Sequence, residues 1–295
     1  MRLTHITPNG TEHVLNNERT VFLAEAQGLG LDTAEPMGAR VPHQHGVQPV
    51  GLYVGPKELA VSLRIIADTS GEWAERDTRL ARDASALRHA AVDDHAPPLC
   101  TLRVEHPDGR TRDIAVWLMG YLADTVNVLG GIAGTRVLTY WAPLPLFYDP
   151  VGITETLTLT GGGGTEFPIT FPLEFPLSTI DSSVYPDNSG ETTTWPRVRL
   201  NGPGQDPTLE NVLLGKTLEL VVTMASGDYI DIDMGAATVL LYTASTGVTT
   251  DITDAMQSGS EFWPLGVGPN QIHVTMSQAY TGSVVFMFRR YFTTA

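Results

Sequence analysis

The stretch from Leu218 to Met234, Leu-Glu-Leu-Val-Val-Thr-Met-Ala-Ser-Gly-Asp-Tyr-Ile-Asp-Ile-Asp-Met, decides the fold class. Leu218, Leu220, Val222 and Met224 recur at every second residue, so they share one side of an extended chain, whose side chains alternate between faces. Ser226-Gly227-Asp228 is turn chemistry: glycine supplies positive φ and aspartate bonds to nearby backbone. Ile230, Ile232 and Met234 then build a second apolar face, with Asp231 and Asp233 pointing the opposite way. The spacing predicts short, half-buried strands.

The same period recurs outward in both directions. Ile272, Val274 and Met276 alternate with Gln271, His273 and Thr275, and a last run from Val284 to Phe292 ends the chain. From Trp195 onward the reading is almost wholly β, with strands spaced as in a sandwich or jelly roll. Upstream, Leu59, Val61, Leu63 and Ile65 alternate with Ala60, Ser62 and Arg64. The runs Leu99 to Glu105 and Arg112 to Met119 flank Pro107-Asp108-Gly109-Arg110, whose Asp-Gly pair predicts a hairpin. One helix is expected from Glu72 to about Ala91. Ser70 is its N-cap candidate, and Trp73, Leu80, Ala84, Leu87 and Ala91 form a narrow apolar stripe that packs on a core.

A chain of 295 residues points to about two domains. Prolines crowd the stretch 143–150 and four glycines follow at Gly161 to Gly164. These signals predict a domain over 1–150, a crossover or loop segment over 151–190, and a second domain over 191–295. Hydrophobic residues at 42% and charged residues at 17% mark a globular chain.

The net charge is −15, with 13 basic and 18 acidic residues in 1–150 against 5 and 15 in 151–295. So acidic a chain lacks the electrostatic attraction behind non-specific DNA affinity and is repelled by anionic membrane surfaces. Met1 to His13 holds no apolar signal-peptide core, and the apolar run Ile114 to Ala123 is short of the roughly 20 residues of a membrane span. Neither a signal peptide nor a membrane helix is expected.

Chemistry-bearing patterns are weak throughout. Cys100 is the single cysteine, which excludes an intramolecular disulfide, and it falls on the apolar side with Leu102 and Val104. Asp228, Asp231 and Asp233 invite a calcium reading, yet no acid follows at EF-loop spacing and a solvated strand face accounts for them. His43-Gln44-His45 lacks a third zinc ligand at diagnostic spacing. His5, His13, His89, His95 and His106 have no serine or cysteine in a nucleophile motif. Gly161 to Gly164 lacks the lysine and hydroxyl of a phosphate loop, and Gly28-Leu29-Gly30 is an incomplete dinucleotide fingerprint. The expectation is therefore no catalytic, cofactor-binding or metal-binding residue, and no cofactor.

The order of motifs along the chain resembles the distal tail protein family of long-tailed, siphovirus-type bacteriophages. Pro107-Asp108-Gly109-Arg110 with Arg112, then Asp149-Pro150, match that family's hairpin and domain end. Asn188-Ser189-Gly190-Glu191, Trp195-Pro196-Arg197-Val198, Gly202-Pro203, Asn211, Gly215, Leu218, Gly227-Asp228, Ile232-Asp233, Phe262, Leu265 and Gly268-Pro269-Asn270 follow in family order. The resemblance implies a mainly β protein, with an N-terminal split β-barrel (belt) domain carrying one α-helix and a C-terminal galectin-like β-sandwich. It implies a virion structural protein and no enzyme: a homo-hexameric adaptor ring at the tail tip that joins the tail tube to the tip or baseplate proteins. Such a protein is made in the bacterial host cytoplasm, and DNA passes through its ring without specific binding. The competing reading is a carbohydrate-binding adhesin that contacts a host-wall glycan, with Trp195, Tyr229, Tyr242, Trp263 and Tyr280 as candidate stacking platforms.

Overall fold

Alternation of apolar and polar side chains governs nearly every element. The computed structural model describes residues 1–17, 21–30, 35–39, 48–68, 78–82, 98–128, 131–160, 179–277 and 281–295. They divide into a first unit, Met1–Pro150 with Phe292–Ala295, and a second unit, Val151–Tyr291.

The first unit contains β1 (Arg2–Ile6), β2 (Glu12–Val14), β3 (Val21–Gln27), β4 (Glu35–Ala39), β5 (Gln48–Tyr53), β6 (Lys57–Asp68), β7 (Cys100–Glu105), β8 (Thr111–Val128), β9 (Gly131–Ala142) and β10 (Phe147–Tyr148). Its main sheet runs β2-β1-β7-β8-β9-β6-β3, and β4 pairs with β5 separately. In β6 the odd-numbered residues Leu59, Val61, Leu63 and Ile65 are buried, whereas Glu58 and Arg64 are exposed. They meet Leu102, Val104, Ile114, Val116 and Leu138 in one core. The expected hairpin at Pro107-Asp108-Gly109-Arg110 joins β7 to β8, with Cys100 opposite Val116 and Glu105 opposite Thr111. Gly109 sits at φ +88°, which a side-chain-bearing residue rarely adopts. Residues 78–82 are helical, and Leu80 is fully buried in the same core. The rest of the expected helix, with Trp73, Ala84, Leu87 and Ala91, lies outside the described residues.

The second unit contains β11 (Ile153–Thr160), β12 (Thr179–Val184), β13 (Asp187–Asn188), β14 (Arg197–Asn201), β15 (Gly204–Asn211), β16 (Lys216–Glu219), β17 (Thr223–Met224), β18 (Tyr229–Asp233), β19 (Thr238–Thr243), β20 (Val248–Asp251), β21 (Gly268–Pro269), β22 (Ile272–Ser277) and β23 (Thr281–Phe288). One sheet has the order β11-β23-β14-β18-β19-β20; the other runs β12-β22-β15-β16, with β17 on β15. Val198, Leu200, Ile230, Ile232, Val284 and Phe286 from the first sheet pack with Leu209, Leu218, Ile272, Val274 and Met276 from the second. The expected mainly β fold is thus observed.

Two details differ from the sequence reading. The run Leu218 to Met224 is two strands, β16 and β17: between them Leu220 N–H still reaches Pro207 O of β15 at 3.1 Å while Leu220 also bridges Met256, and Val221 N–H goes to Ala255 O at 2.9 Å. Ser226-Gly227-Asp228 then leads from the second sheet to the first and closes no hairpin, since β17 pairs with β15 and β18 with β14 and β19. The segment 151–190, read as crossover or loop, carries β11, β12 and β13. Threonines at 154, 156 and 158 alternate with Ile153, Leu157 and Leu159, but Glu155 interrupts the apolar face, and the prolines and glycines beyond β11 drew the reading toward loop.

Candidate functional site

In the first unit, one sheet face is apolar where water reaches it. Trp117 and Trp141 are directly opposite on β8 and β9, on the face away from buried Leu118 and Tyr140, and their rings stack at 5.2 Å and 10°. A register shift between Leu118 and Gly120 pushes Met119 outward. Past this bulge Leu122 pairs with Val137 on the outer face and is 71% exposed, with Met119 at 50%. A Cβ at Gly120 would come within 2.3 Å of Thr139 Oγ1, so a side chain there would make that hydroxyl turn away. Trp117, Met119 and Leu122 thus run as a stripe along one strand. The sequence carries its trace: Ile114 to Ala123 is continuously apolar, which reads as a strand covered on both faces.

The second unit displays polar rows. On the first sheet, Asn201, Tyr229 and Tyr242 lie side by side in the pairing, as do Arg199, Asp231 and Leu240. Arg199 Nε and Nη2 donate to the two carboxylate oxygens of Asp231 at 2.6 and 2.8 Å, a fork that holds the guanidinium flat. The same guanidinium lies 4.3 Å over the Tyr229 ring, whose other neighbour, Tyr242, stacks at 4.7 Å. Tyr229 is therefore sandwiched by its own chain, and a sugar has no free face of it to cover. Trp263 is fully buried in the core, which removes it as a platform; its position between Phe262 and Leu265 already favoured packing. Trp195 remains exposed at 51% beside Gly235, and Tyr280 lies outside the described residues.

The other candidates take structural positions. Asp228 is buried and ties two turns together, accepting from Ala225 N–H and Ala244 N–H, both at 2.8 Å. Asp231 pairs with Arg199 and Asp233 with Arg197, so these three acids do not converge. Among the described residues no group of three or more His, Cys, Asp or Glu side chains is placed to hold a metal ion. Cys100 is buried in the first core. His5 is buried between His13 and Tyr140, at ring separations of 6.1 and 5.8 Å, and burial followed by the charge on His13 lowers its pKa to about 4. His273 sits on β22 with Nε2 2.6 Å from Asp181 and Nδ1 3.6 Å from Glu210, and those acids raise its pKa. His43, His45, His89 and His95 lie outside the described residues, as do Gly161 to Gly164. Among the described residues no helix is long and apolar enough to cross a membrane.

Three comparisons bear on this arrangement. Residues 189–291 match a family model described as the siphovirus-type tail component, C-terminal domain. No curated protein matches the chain. Among solved structures, the SPP1 Dit protein, described as a paradigm of the hub adsorption apparatus in phages that infect Gram-positive hosts, is 15% identical with a TM-score of 0.58, covering 98% of this chain and 99% of its own. A chain of the phage P2 baseplate in its activated conformation with calcium is 10% identical with a TM-score of 0.47, over 100% and 99% of the two chains. Residues 189–291 are thus similar to the C-terminal domain of siphovirus-type tail components, and the fold of the chain is similar to that of SPP1 Dit.

Proposed function

We propose that this chain forms a homo-hexameric adaptor ring at the distal end of a siphophage tail, joining the tail tube to the tip or baseplate. The first unit makes the ring contacts as the belt, and the second unit stands at the periphery. The observation that carries this reading is the stripe of Trp117, Met119 and Leu122. Large apolar side chains aligned on a water-facing sheet are unfavourable in a monomer and are covered in an assembly. The match of residues 189–291 to a tail component and the fold shared with SPP1 Dit support it. The role is structural and assigns no reaction to the chain. It places the protein in the virion tail tip after synthesis in the host cytoplasm. DNA passes the ring without specific binding, in keeping with the −15 charge. The sugar-binding alternative draws on Trp195 and one face of Tyr242.

The test is the mass of the full chain in solution. Six chains of 31.9 kDa give an assembly of roughly 190 kDa by mass photometry. Leu122→Asp should reduce it to smaller species while thermal unfolding stays close to wild type. A wild-type chain that remains monomeric, or an assembly that tolerates Leu122→Asp, contradicts the assignment.

A further inference from the structure

The turn between β15 and β16 is Val212-Leu213-Leu214-Gly215, and its three aliphatic side chains are 44%, 62% and 41% exposed. Water-facing turns are ordinarily polar, and three consecutive exposed apolar residues are a liability unless they serve a contact. Turn geometry does not require them: Gly215 alone takes the left-handed conformation, at φ +62°. Val267, on the neighbouring loop, is 54% exposed. Leu213 Cδ2 comes within 3.6 Å of where a Gly266 side chain would start, so the two loops form one patch.

Fully buried asparagines hold this patch rigid. Asn211 accepts from Leu214 N–H at 3.2 Å and donates to Pro264 O at 3.3 Å, while Val212 N–H reaches Gln271 O at 3.0 Å. Asn270 accepts from Gly266 N–H at 2.8 Å and donates to Gly266 O at 2.9 Å and Gly268 O at 2.8 Å. Asn188 adds a donation to Gly266 O at 3.1 Å. Loops fixed in advance lose little conformational entropy when something binds them.

We infer that Val212, Leu213, Leu214 and Val267 form a preorganised docking knob for a second protein that offers an apolar pocket rimmed by Lys or Arg. Charge selects that partner. Asp187, exposed on β13, lies opposite Pro269 beside the Val267 loop, and Glu261 holds Lys216, next to the β15–β16 turn, at 2.7 Å. Residues 151–295 together hold 5 basic and 15 acidic side chains. A second copy presenting the same surface is repelled, whereas a basic rim is attracted. None of these residues belongs to the stripe on β8.

The experiment titrates the full chain into a fluorescein-labelled amphipathic peptide of about 16 residues with leucines on one side and lysines on the other, and into the same peptide with glutamates replacing the lysines. The expected result is saturable binding of the lysine peptide that weakens by roughly tenfold or more in the Leu213→Ser/Leu214→Ser variant, with Leu122→Asp binding as wild type. The glutamate peptide should bind at least roughly tenfold more weakly than the lysine peptide. The double variant should keep the wild-type unfolding midpoint. Equal binding by the double variant overturns the knob, and equal binding of the glutamate peptide overturns the basic partner. Self-association that Leu122→Asp retains and the double variant abolishes assigns the patch to a second copy instead, and also overturns the proposal.

Discussion

Arg112 holds its guanidinium 3.6 Å from the centre of the Phe292 ring. The same arginine forms an ion pair with Asp149, and Ala295 N–H donates to Leu29 O at 3.1 Å. Residues 292–295 therefore belong to the same unit as Met1–Pro150, and Phe292 packs against the first core.

Deletion of residues 292–295 should accordingly weaken the first unit. A cation–π contact of about 0.5–1 kcal/mol is lost together with part of an aromatic side chain's burial, so about 1–3 kcal/mol is expected. Amide hydrogen exchange resolves which unit responds: faster exchange in β7 and β8, with β18 and β22 unchanged, is the expected pattern. Protection in β7 and β8 unchanged by the deletion would mean that these residues contribute nothing.

The two units should respond oppositely to acid. His5 has a folded pKa of about 4 against 6.5 for the free group, so below pH 6.5 the unfolded chain takes up the proton first and stability falls until about pH 4. A gap of that size is worth about 3 kcal/mol. His273 has a raised pKa from Asp181 and Glu210; its contribution is fully present below pH 6.5 and is lost as pH rises through the raised value. With Asp181 largely exposed, that contribution is below about 1 kcal/mol. Urea unfolding from pH 4 to 8 should show His5→Phe flattening the acid loss and His273→Gln removing a small gain at low pH. A His5→Phe variant as acid-sensitive as wild type would refute the first assignment.

Trp263 and Trp195 should separate cleanly. Trp263→Ala empties a fully buried site in the second core and should cost about 3–5 kcal/mol. Trp195→Ala, half exposed, should change stability by about 1 kcal/mol or less. Thermal unfolding of both variants decides it, and comparable shifts would contradict the burial difference.

Leu80 tests the described turn of helix at 78–82. Leu80→Asp buries a charge in the first core and should destabilise by several kcal/mol, whereas Arg82→Ala, on the exposed side, should shift stability by less than about 1 kcal/mol. Small effects from both would place Leu80 at the surface.

Strand alternation was legible because side-chain period is a local property: Ile230, Ile232, Leu59 and Val61 are buried where their spacing puts them. The Asp-Gly hairpin was legible for the same reason, as turn conformation depends on a few adjacent residues. Residue type also separated Trp263 from a surface role, once its apolar neighbours were weighed. What spacing left open was which strands pair. The sequence reads Leu218 to Met224 as one strand; its apolar side chains do line one core, and only the backbone contacts of Leu220 with Met256 and Val221 with Ala255 divide it into β16 and β17.

The sequence by itself determined that this is a mainly β, acidic chain whose motifs run in the order of the distal tail proteins, because composition, period and turn residues act through neighbours in the chain. Tertiary structure decided the rest. Arg199, Tyr229 and Tyr242 come from different strands, and only their sheet order puts Tyr229 between the other two side chains. The bulge that exposes Met119 and Leu122 arises from a register between β8 and β9, and the knob at Val212 to Leu214 is fixed by bonds from Asn211 and Val212 to Pro264 and Gln271, tens of residues away in the chain. Exposure is a property of where other segments are absent, and no local pattern encodes that.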